Sequence, residues 1–373
     1  MKKLRIYFPF TRRIFVVLVF AIVCAWQKTF GAEDTDSTVI TNKKSLINYN
    51  LSLTTEAQWN MTDARFAWTN LLCAGFSASL WKEAQVEANV ISTFHTRGDM
   101  GDFYQDFSNI NADNRAIRLV HFGIQQSFAD KWTVFFGLRQ ADADYFSTPM
   151  ASLFTGGITG CYPVVGCNFD MNAYPFTALG LHLIYHPISS FIVQTSIYNG
   201  SAYDTFLRSF RFRPHADGIL SLGSICYTRQ ATNQEPFDAT YLIGWNIGNH
   251  KDNDTGRRHT QAGVWTTIEQ PLPLTIGHIN SALGATYAHE FCSPLSCKSY
   301  FNIMAVFGNI TRSGGTLSTI FNRSYYQDAH ESEVEVNFMM PIGKYFTIQP
   351  AIHHYSTNGK RQWVGQFRVT LEL

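Results

Sequence analysis

The stretch from Gln362 to Leu373 constrains the chain most. It places apolar side chains at Trp363, Phe367, Val369, Leu371 and Leu373, with Gln366, Arg368, Thr370 and Glu372 among them. A period of two over this length is a β-strand with one apolar and one polar face. The same alternation recurs at residues 48–57, 85–95, 118–128, 132–141, 178–186, 191–199, 218–229, 239–248, 261–269, 281–291, 299–309, 331–340 and 345–355, and more weakly at 71–80 and 316–325. Counting the last, that makes about sixteen stretches, most of them near the nine to eleven residues a tilted membrane strand needs. The expectation is an all-β fold: a transmembrane antiparallel β-barrel whose final strand closes the ring against the first.

The connections carry a second pattern. Residues 129–131, 187–189 and 341–344 are tight turns, whereas 96–115, 142–177, 200–217 and 249–260 are long and polar or Gly-rich. Long and short alternate, as expected of a barrel with long extracellular loops and short periplasmic turns, and an even strand number returns both ends to the periplasm. A soluble β-sandwich has no reason to keep that alternation.

The period also assigns faces. Val120, Phe122, Ile124 and Phe128 should meet lipid, and His121, Gly123, Gln125 and Ser127 the lumen. After the turn, Trp132, Val134, Phe136 and Leu138 face lipid; Thr133, Gly137 and Arg139 face inward, with Phe135 an apolar exception. A charge on the lipid face near the midplane costs about 2–4 kcal/mol, which sends Arg139 and Arg368 to the lumen or a rim.

Composition agrees without deciding. Charged residues are 15% of the chain and aromatics 15%, where a soluble domain averages about 25% charged. A lipid-facing wall with aromatic girdles has this composition, and so does an aromatic-rich secreted sandwich. The balance of 29 Lys+Arg to 28 Asp+Glu argues against a general nucleic-acid binder.

Residues 1–32 read as a secretory signal peptide: Lys2, Lys3, Arg5, Arg12 and Arg13, an apolar run over 14–26, then Thr29 and Gly31 before Ala32. That run is shorter than the roughly 20 residues of a transmembrane helix, and Ala21-Ile22-Val23 before Cys24 is a poor lipobox. Residues 33–46 then form a short periplasmic segment and 47–373 the barrel. Any other membrane-spanning arrangement would leave backbone groups unpaired in hydrocarbon. The expected setting is the outer membrane of a Gram-negative bacterium, reached with export and barrel-assembly machinery. Cys161/Cys167 and Cys292/Cys297, close pairs in turn-rich stretches, read as loop disulfides in an oxidising compartment. Cys73 and Cys226, inside strands, read as free thiols.

The longest loop, 142–177, holds Phe146, Phe154, Tyr162, Phe169, Tyr174 and Gly156-Gly157. Loops this long without structure of their own are usually functional, and a barrel of about sixteen strands is wide enough for water. Folded inward, the loop would narrow the lumen into a selective pore. Phe154, Tyr162, Phe169 and Tyr174 could stack on sugar rings while His121, Gln125, Arg139, Asp142 and Arg368 bond hydroxyls. The plainer reading is a lid over the barrel. An adhesin or antigen displayed on the barrel would instead use the aromatic loops as an exposed surface.

Other chemistry finds little support. Gly156-Gly157-Ile158-Thr159-Gly160 lacks the Lys-Ser/Thr of a phosphate loop. The neighbours His353-His354 and His289-Glu290 point to opposite faces of their strands, so no metal or cofactor is expected. No Ser/His constellation suggests an enzyme.

Two collinear stretches resemble the carbohydrate-selective porin family known as OprB. One runs from Phe103 to Phe146 and includes Ser108-Asn109-Ile110-Asn111-Ala112-Asp113. The other runs from Tyr174 to Asp204, with Tyr174-Pro175, the Leu-Gly-Leu-His-Leu-Ile-Tyr-His-Pro string at Leu179 to Pro187, and Tyr198-Asn199-Gly200. Glu335, Gln349-Pro350 and the final strand also fit. The resemblance implies a channel for passive sugar diffusion with charged and polar residues at an eyelet. The chain departs from the pattern in the acidic residues expected near His121 and Gln125, and in ending on Leu373 rather than Phe.

Overall fold

The computed structural model describes residues 46–232, 237–251, 256–292, 296–311 and 314–373. The expected signal peptide and nearly all of the expected periplasmic segment lie outside them. The chain forms sixteen strands: β1 (Ile47–Asn60), β2 (Arg65–Ser79), β3 (Ala84–His95), β4 (Arg115–Phe128), β5 (Trp132–Arg139), β6 (Ala178–Tyr185), β7 (Phe191–Asn199), β8 (Gly218–Arg229), β9 (Ala239–Lys251), β10 (Arg258–Ile276), β11 (Ile279–Glu290), β12 (Cys297–Gly308), β13 (Thr316–Tyr326), β14 (His330–Ile342), β15 (Phe346–Thr357) and β16 (Lys360–Glu372). Each pairs antiparallel with its neighbours in sequence, and β16 returns to β1 over Ser52↔Glu372 to Asn60↔Val364. Closure leaves no strand edge unpaired, as a backbone in hydrocarbon requires.

The faces follow the alternation. In β16, Gln362, Val364 and Gln366 are buried inward, while Trp363 and Phe367 point out, 46% and 47% exposed. Such side chains form an apolar outer belt, including Phe136, Ile243, Ile247 and Ile303.

Two expected lipid-facing residues behave differently. Val120 is 5% exposed. It is an extra residue between the pairs Asn89↔His121 and Val90↔Leu119, a bulge that reverses the parity of β4 above it. Ile117, not Val120, is the outward residue there, 77% exposed. Leu138 pairs with outward Phe122 yet is fully covered, because the connection 200–217 lies against it. Phe135 is an inward residue, 1% exposed.

The long connections 96–114, 140–177 and 200–217 gather at one end, and the turns 80–83, 129–131 and 186–190 at the other. The alternation fades past β8. Residues 327–329 and 358–359, at the loop end, are as short as turns, and 309–315 at the other end is longer. Neither expected disulfide is formed. Cys161 Sγ lies 3.7 Å from Met171 Sδ, Cys167 Sγ accepts from Gln105 Nε2 at 2.5 Å, and Cys297 Sγ donates to Ser299 O at 3.5 Å. Cys73 and Cys226 are free thiols, as expected.

Candidate functional site: the constricted lumen

The inner wall between β7 and β13 carries an apolar platform among its polar residues. Trp265 of β10 lies over Gly244 of β9, where a Cβ would enter the indole ring. Beside it stand Tyr198, Leu220, Leu222, Leu242 and Tyr300, all buried. Connection 140–177 packs its own apolar side chains onto this platform. The Phe146 ring lies 5.0 Å from both Trp265 and Tyr162, and Tyr162 stacks on Tyr300 at 5.5 Å. Burying each such side chain contributes about 1.5–3 kcal/mol, so this part of the lumen becomes a core that holds the loop.

Carboxylates on the wall fix its path. Glu269 of β10 accepts from Thr148 Oγ1 and, at 3.2 Å, from Met150 N. Glu335 of β14 accepts from Thr155 N and Oγ1 at 2.9 Å and from Gly156 N at 3.1 Å. A second connection, 96–114, enters the barrel too. Glu331 accepts from Tyr104 N at 2.9 Å and Glu56 from Ser108 Oγ at 2.7 Å. The two loops also bond each other: Asn109 N to Thr155 O at 2.8 Å, Gly157 N to Asp106 O at 3.1 Å and Tyr174 Oη to Ile110 O at 2.8 Å.

What stays open lies beside the remaining wall. A cavity of about 280 Å³ is lined by Glu87, Asn89, His121, Gln125, Arg139 and Asp144, among others. Arg139 Nε and Nη2 each donate to Asp144 at 2.6 Å, and the guanidinium sits 4.9 Å over Phe135. His121 Nε2 is 2.9 Å from Glu87. The acidic partner expected near His121 therefore exists, supplied by the adjacent strand. Toward the loop end a larger cavity, about 540 Å³, is bordered by Gln105, Asp106, Asn109, Asn111, Asp142, Tyr174 and Phe176. The helical turn α1 (Asp142–Tyr145) divides the two, with Asp142 on one and Asp144 on the other. Burial pushes the Asp142 carboxyl up to about 6, opposed by a hydrogen bond from Tyr174 N at 3.0 Å. Burial raises Asp106 as well. Arg368 donates at 2.6 Å from Nε to Glu56 and from Nη2 to Asn109, tying β16 to β1 and to the inserted loop.

The structure thus brings His121, Gln125 and Arg139 together, places Asp142 one turn away, and sets Arg368 apart on β16. Two of the expected constriction aromatics lie against the wall. Phe154 and Tyr162 are 1% exposed and face the wall, because apolar rings find a better partner in Trp265, Tyr300 and Met304 than in water. Phe169 stacks on His250 at 4.0 Å and shows only an edge to the larger cavity. Tyr174 borders that cavity, as does Phe176, which was not expected. Glu56, Glu87, Asn109 and Asp144 were missed. Their partners are 312, 34, 259 and 5 residues away, separations that alternation within one strand cannot register.

His353 and His354 do face opposite ways, His354 lying 4.5 Å from the outward Trp363 ring. Across strands, however, Glu333, Glu335 and His353 carry ligand atoms within 4.8 Å of one another. Their atoms are already engaged: His353 Nδ1 with Glu333 at 2.8 Å, His353 Nε2 with Gln366 at 2.9 Å, Tyr355 Oη with Glu333 at 2.6 Å. The trio behaves as the seat of the Thr155–Gly156 anchor.

A closed sixteen-stranded antiparallel barrel, apolar outside, with loops folded into a partly polar lumen, is the architecture of the outer-membrane porins. Among solved structures the chain is similar to Pseudomonas putida OprB. Against its high-pH structure the TM-score is 0.73 at 13% identity, covering 88% of this chain and 94% of that one. Against its low-pH structure the values are 0.60 and 12%, covering 88% and 92%. The fold is also similar to that of Salmonella typhi OmpF in complex with daunomycin, with a TM-score of 0.56 at 10% identity over 88% of this chain and 97% of that one. No family model matches the sequence, and no curated protein matches it.

Proposed function

We propose that the chain is an outer-membrane porin through which small solutes, neutral sugars foremost, diffuse passively. The observation that carries this reading is the pair of inserted loops, held by wall carboxylates so that the lumen narrows to cavities lined in part by polar side chains. Within these, Arg139 and Asp144 are charges paired with one another, and His121 Nε2 hydrogen-bonds the Glu87 carboxylate. Paired charges present donors and acceptors to hydroxyls at little net field, which suits a neutral polyol better than an ion. Tyr174 and Phe176 add aromatic side chains to the lining of the larger cavity. Similarity of fold to Pseudomonas putida OprB, whose sequence family the motifs resemble, supports the same reading.

Reconstituted in planar bilayers, the chain should give stepwise conductance that falls as sugar is added. Bilayers that stay sealed would overturn the porin reading, and steps indifferent to sugar would overturn the sugar reading alone. The adhesin reading is not favoured, because the longest aromatic loop, 142–177, is packed into the lumen.

A further inference from the structure

Connection 200–217 does not follow the other two long loops inward. Asp204 crosses the rim, ion-paired with Arg115 and, at 2.8 Å, with Arg118 of β4. Beyond it the chain lies on the outer side of the wall. Phe210 meets outward Phe122 edge-on at 6.0 Å, Phe206 meets Phe210 at 5.3 Å, and Phe206 and Ser209 border one cavity with the buried Leu138. From Phe206 to Arg213 its exposed residues mix apolar and cationic side chains. Phe206, Leu207 and Phe212 are 60%, 78% and 48% exposed. Arg208, Arg211 and Arg213 are exposed between them, and among the described residues none of the three makes an ion pair. A chain with a net charge of only +1 concentrates three unpaired guanidinium groups here.

The neighbours fix the level of this segment. Ile117 and Phe122, 77% and 41% exposed, belong to the lipid-facing wall directly beside it. The segment therefore sits where hydrocarbon gives way to headgroups at the loop end. Aromatic and aliphatic side chains mixed with arginine are what interfacial segments use, with rings at the acyl boundary and cations among anionic headgroups. Guanidinium also matches phosphate in a bidentate way that ammonium does not.

We propose that residues 206–213 dock phosphate-bearing lipid headgroups of the leaflet at the loop end, Arg208, Arg211 and Arg213 holding the phosphates while Phe206, Leu207 and Phe212 enter the acyl boundary. A second copy of this chain is the competing occupant. A two-fold contact through this face would set the arginine clusters against each other, which like-charge repulsion opposes. The proposal does not depend on what the lumen conducts.

The test uses the full chain purified in neutral detergent, incubated with a bis-phosphorylated glycolipid or its dephosphorylated form, and read by native mass spectrometry. Wild-type protein should retain the phosphorylated lipid and release the other. The R208A/R211A/R213A triple variant should lose affinity by roughly a hundredfold, about fivefold per arginine. A triple Arg→Lys variant should keep most of it, and bilayer conductance of all forms should stay the same, which controls for folding. Equal retention by wild type and the alanine variant would overturn the proposal. So would equal retention of both lipids, or wild-type oligomers that the alanine changes dissociate while bound lipid is unaltered.

Discussion

At the residue scale the proposed pore rests on the Arg139–Asp144 ion pair, so single substitutions there should unbalance it in known directions. Arg139→Ala leaves Asp144 without its two 2.6 Å donors. The cavity it lines then gains one net negative charge, and cation permeability relative to anions should rise about two- to fivefold, the scale of a roughly 1 kcal/mol interaction between charges about 4 Å apart in water. Asp144→Asn should shift selectivity the other way by a similar factor. Reversal potentials in a salt gradient read both, and a potential unmoved by either change would place the pair outside the conduction path. Asp142 adds a pH dependence. Its carboxyl ordinarily titrates at 3.8, and burial moves it to about 6. A folded value above the unfolded one means that this group favours folding most below about pH 4 and loses that contribution as pH rises to about 6. For the pore, the charge is present at pH 7 and absent at pH 5. Cation preference should therefore fall on acidification with a midpoint near 6, and Asp142→Asn should abolish that step. An identical titration in the variant would assign the step elsewhere.

At the scale of elements the constriction depends on a few anchors. Glu335 accepts from two backbone N–H groups and one hydroxyl of 140–177. Hydrogen bonds to a charged acceptor are worth about 1.5–3 kcal/mol each, and the donors become orphaned when it is removed. Glu335→Ala should let the loop leave the wall at that point, with larger and noisier single-channel conductance. Glu269→Ala, which frees Met150 and Thr148, should act in the same direction. Conductance and noise matching wild type in both would show that the apolar packing of Phe146 and Tyr162 suffices alone. This level of structure was half legible. Loop length and its aromatics mark 142–177 as an inserted segment, but alternation carries no sign of what a loop residue touches. Tyr162 and Phe154 were read as facing solute because the wall was expected to be polar. The apolar platform around Trp265 has no counterpart in the two-face rule. The entry of 96–114 was missed for the same reason: its anchors Glu56 and Glu331 lie on strands distant in sequence.

At the scale of the whole molecule the period of two determined almost everything. All sixteen stretches expected as strands are strands, because a closed barrel between lipid and a water-accessible lumen imposes one face rule on every residue. The rule fails where a bulge inserts a residue, at Val120, and where a loop covers the outer wall, at Leu138. Adjacent positions elsewhere should then differ sharply in tolerance. Ala88 and Asn89 follow one another near the middle of β3. Ala88 pairs with Phe76 and outward Phe122, while Asn89 lines the smaller cavity. Ala88→Arg puts a charge into hydrocarbon near the midplane and should destabilise the folded barrel by about 2–4 kcal/mol. Asn89→Arg adds the same side chain one residue on, where water and Glu87 can receive it, and should cost well under half as much. Urea unfolding in lipid vesicles, followed by tryptophan fluorescence, measures both. If the two variants unfold together, β3 does not separate lipid from lumen and the face rule loses its physical basis here. If only Ala88→Arg unfolds early, the wall is confirmed at the resolution of a single residue, and Asn89→Arg becomes a probe of the pore, since its added charge should move reversal potential opposite to Arg139→Ala.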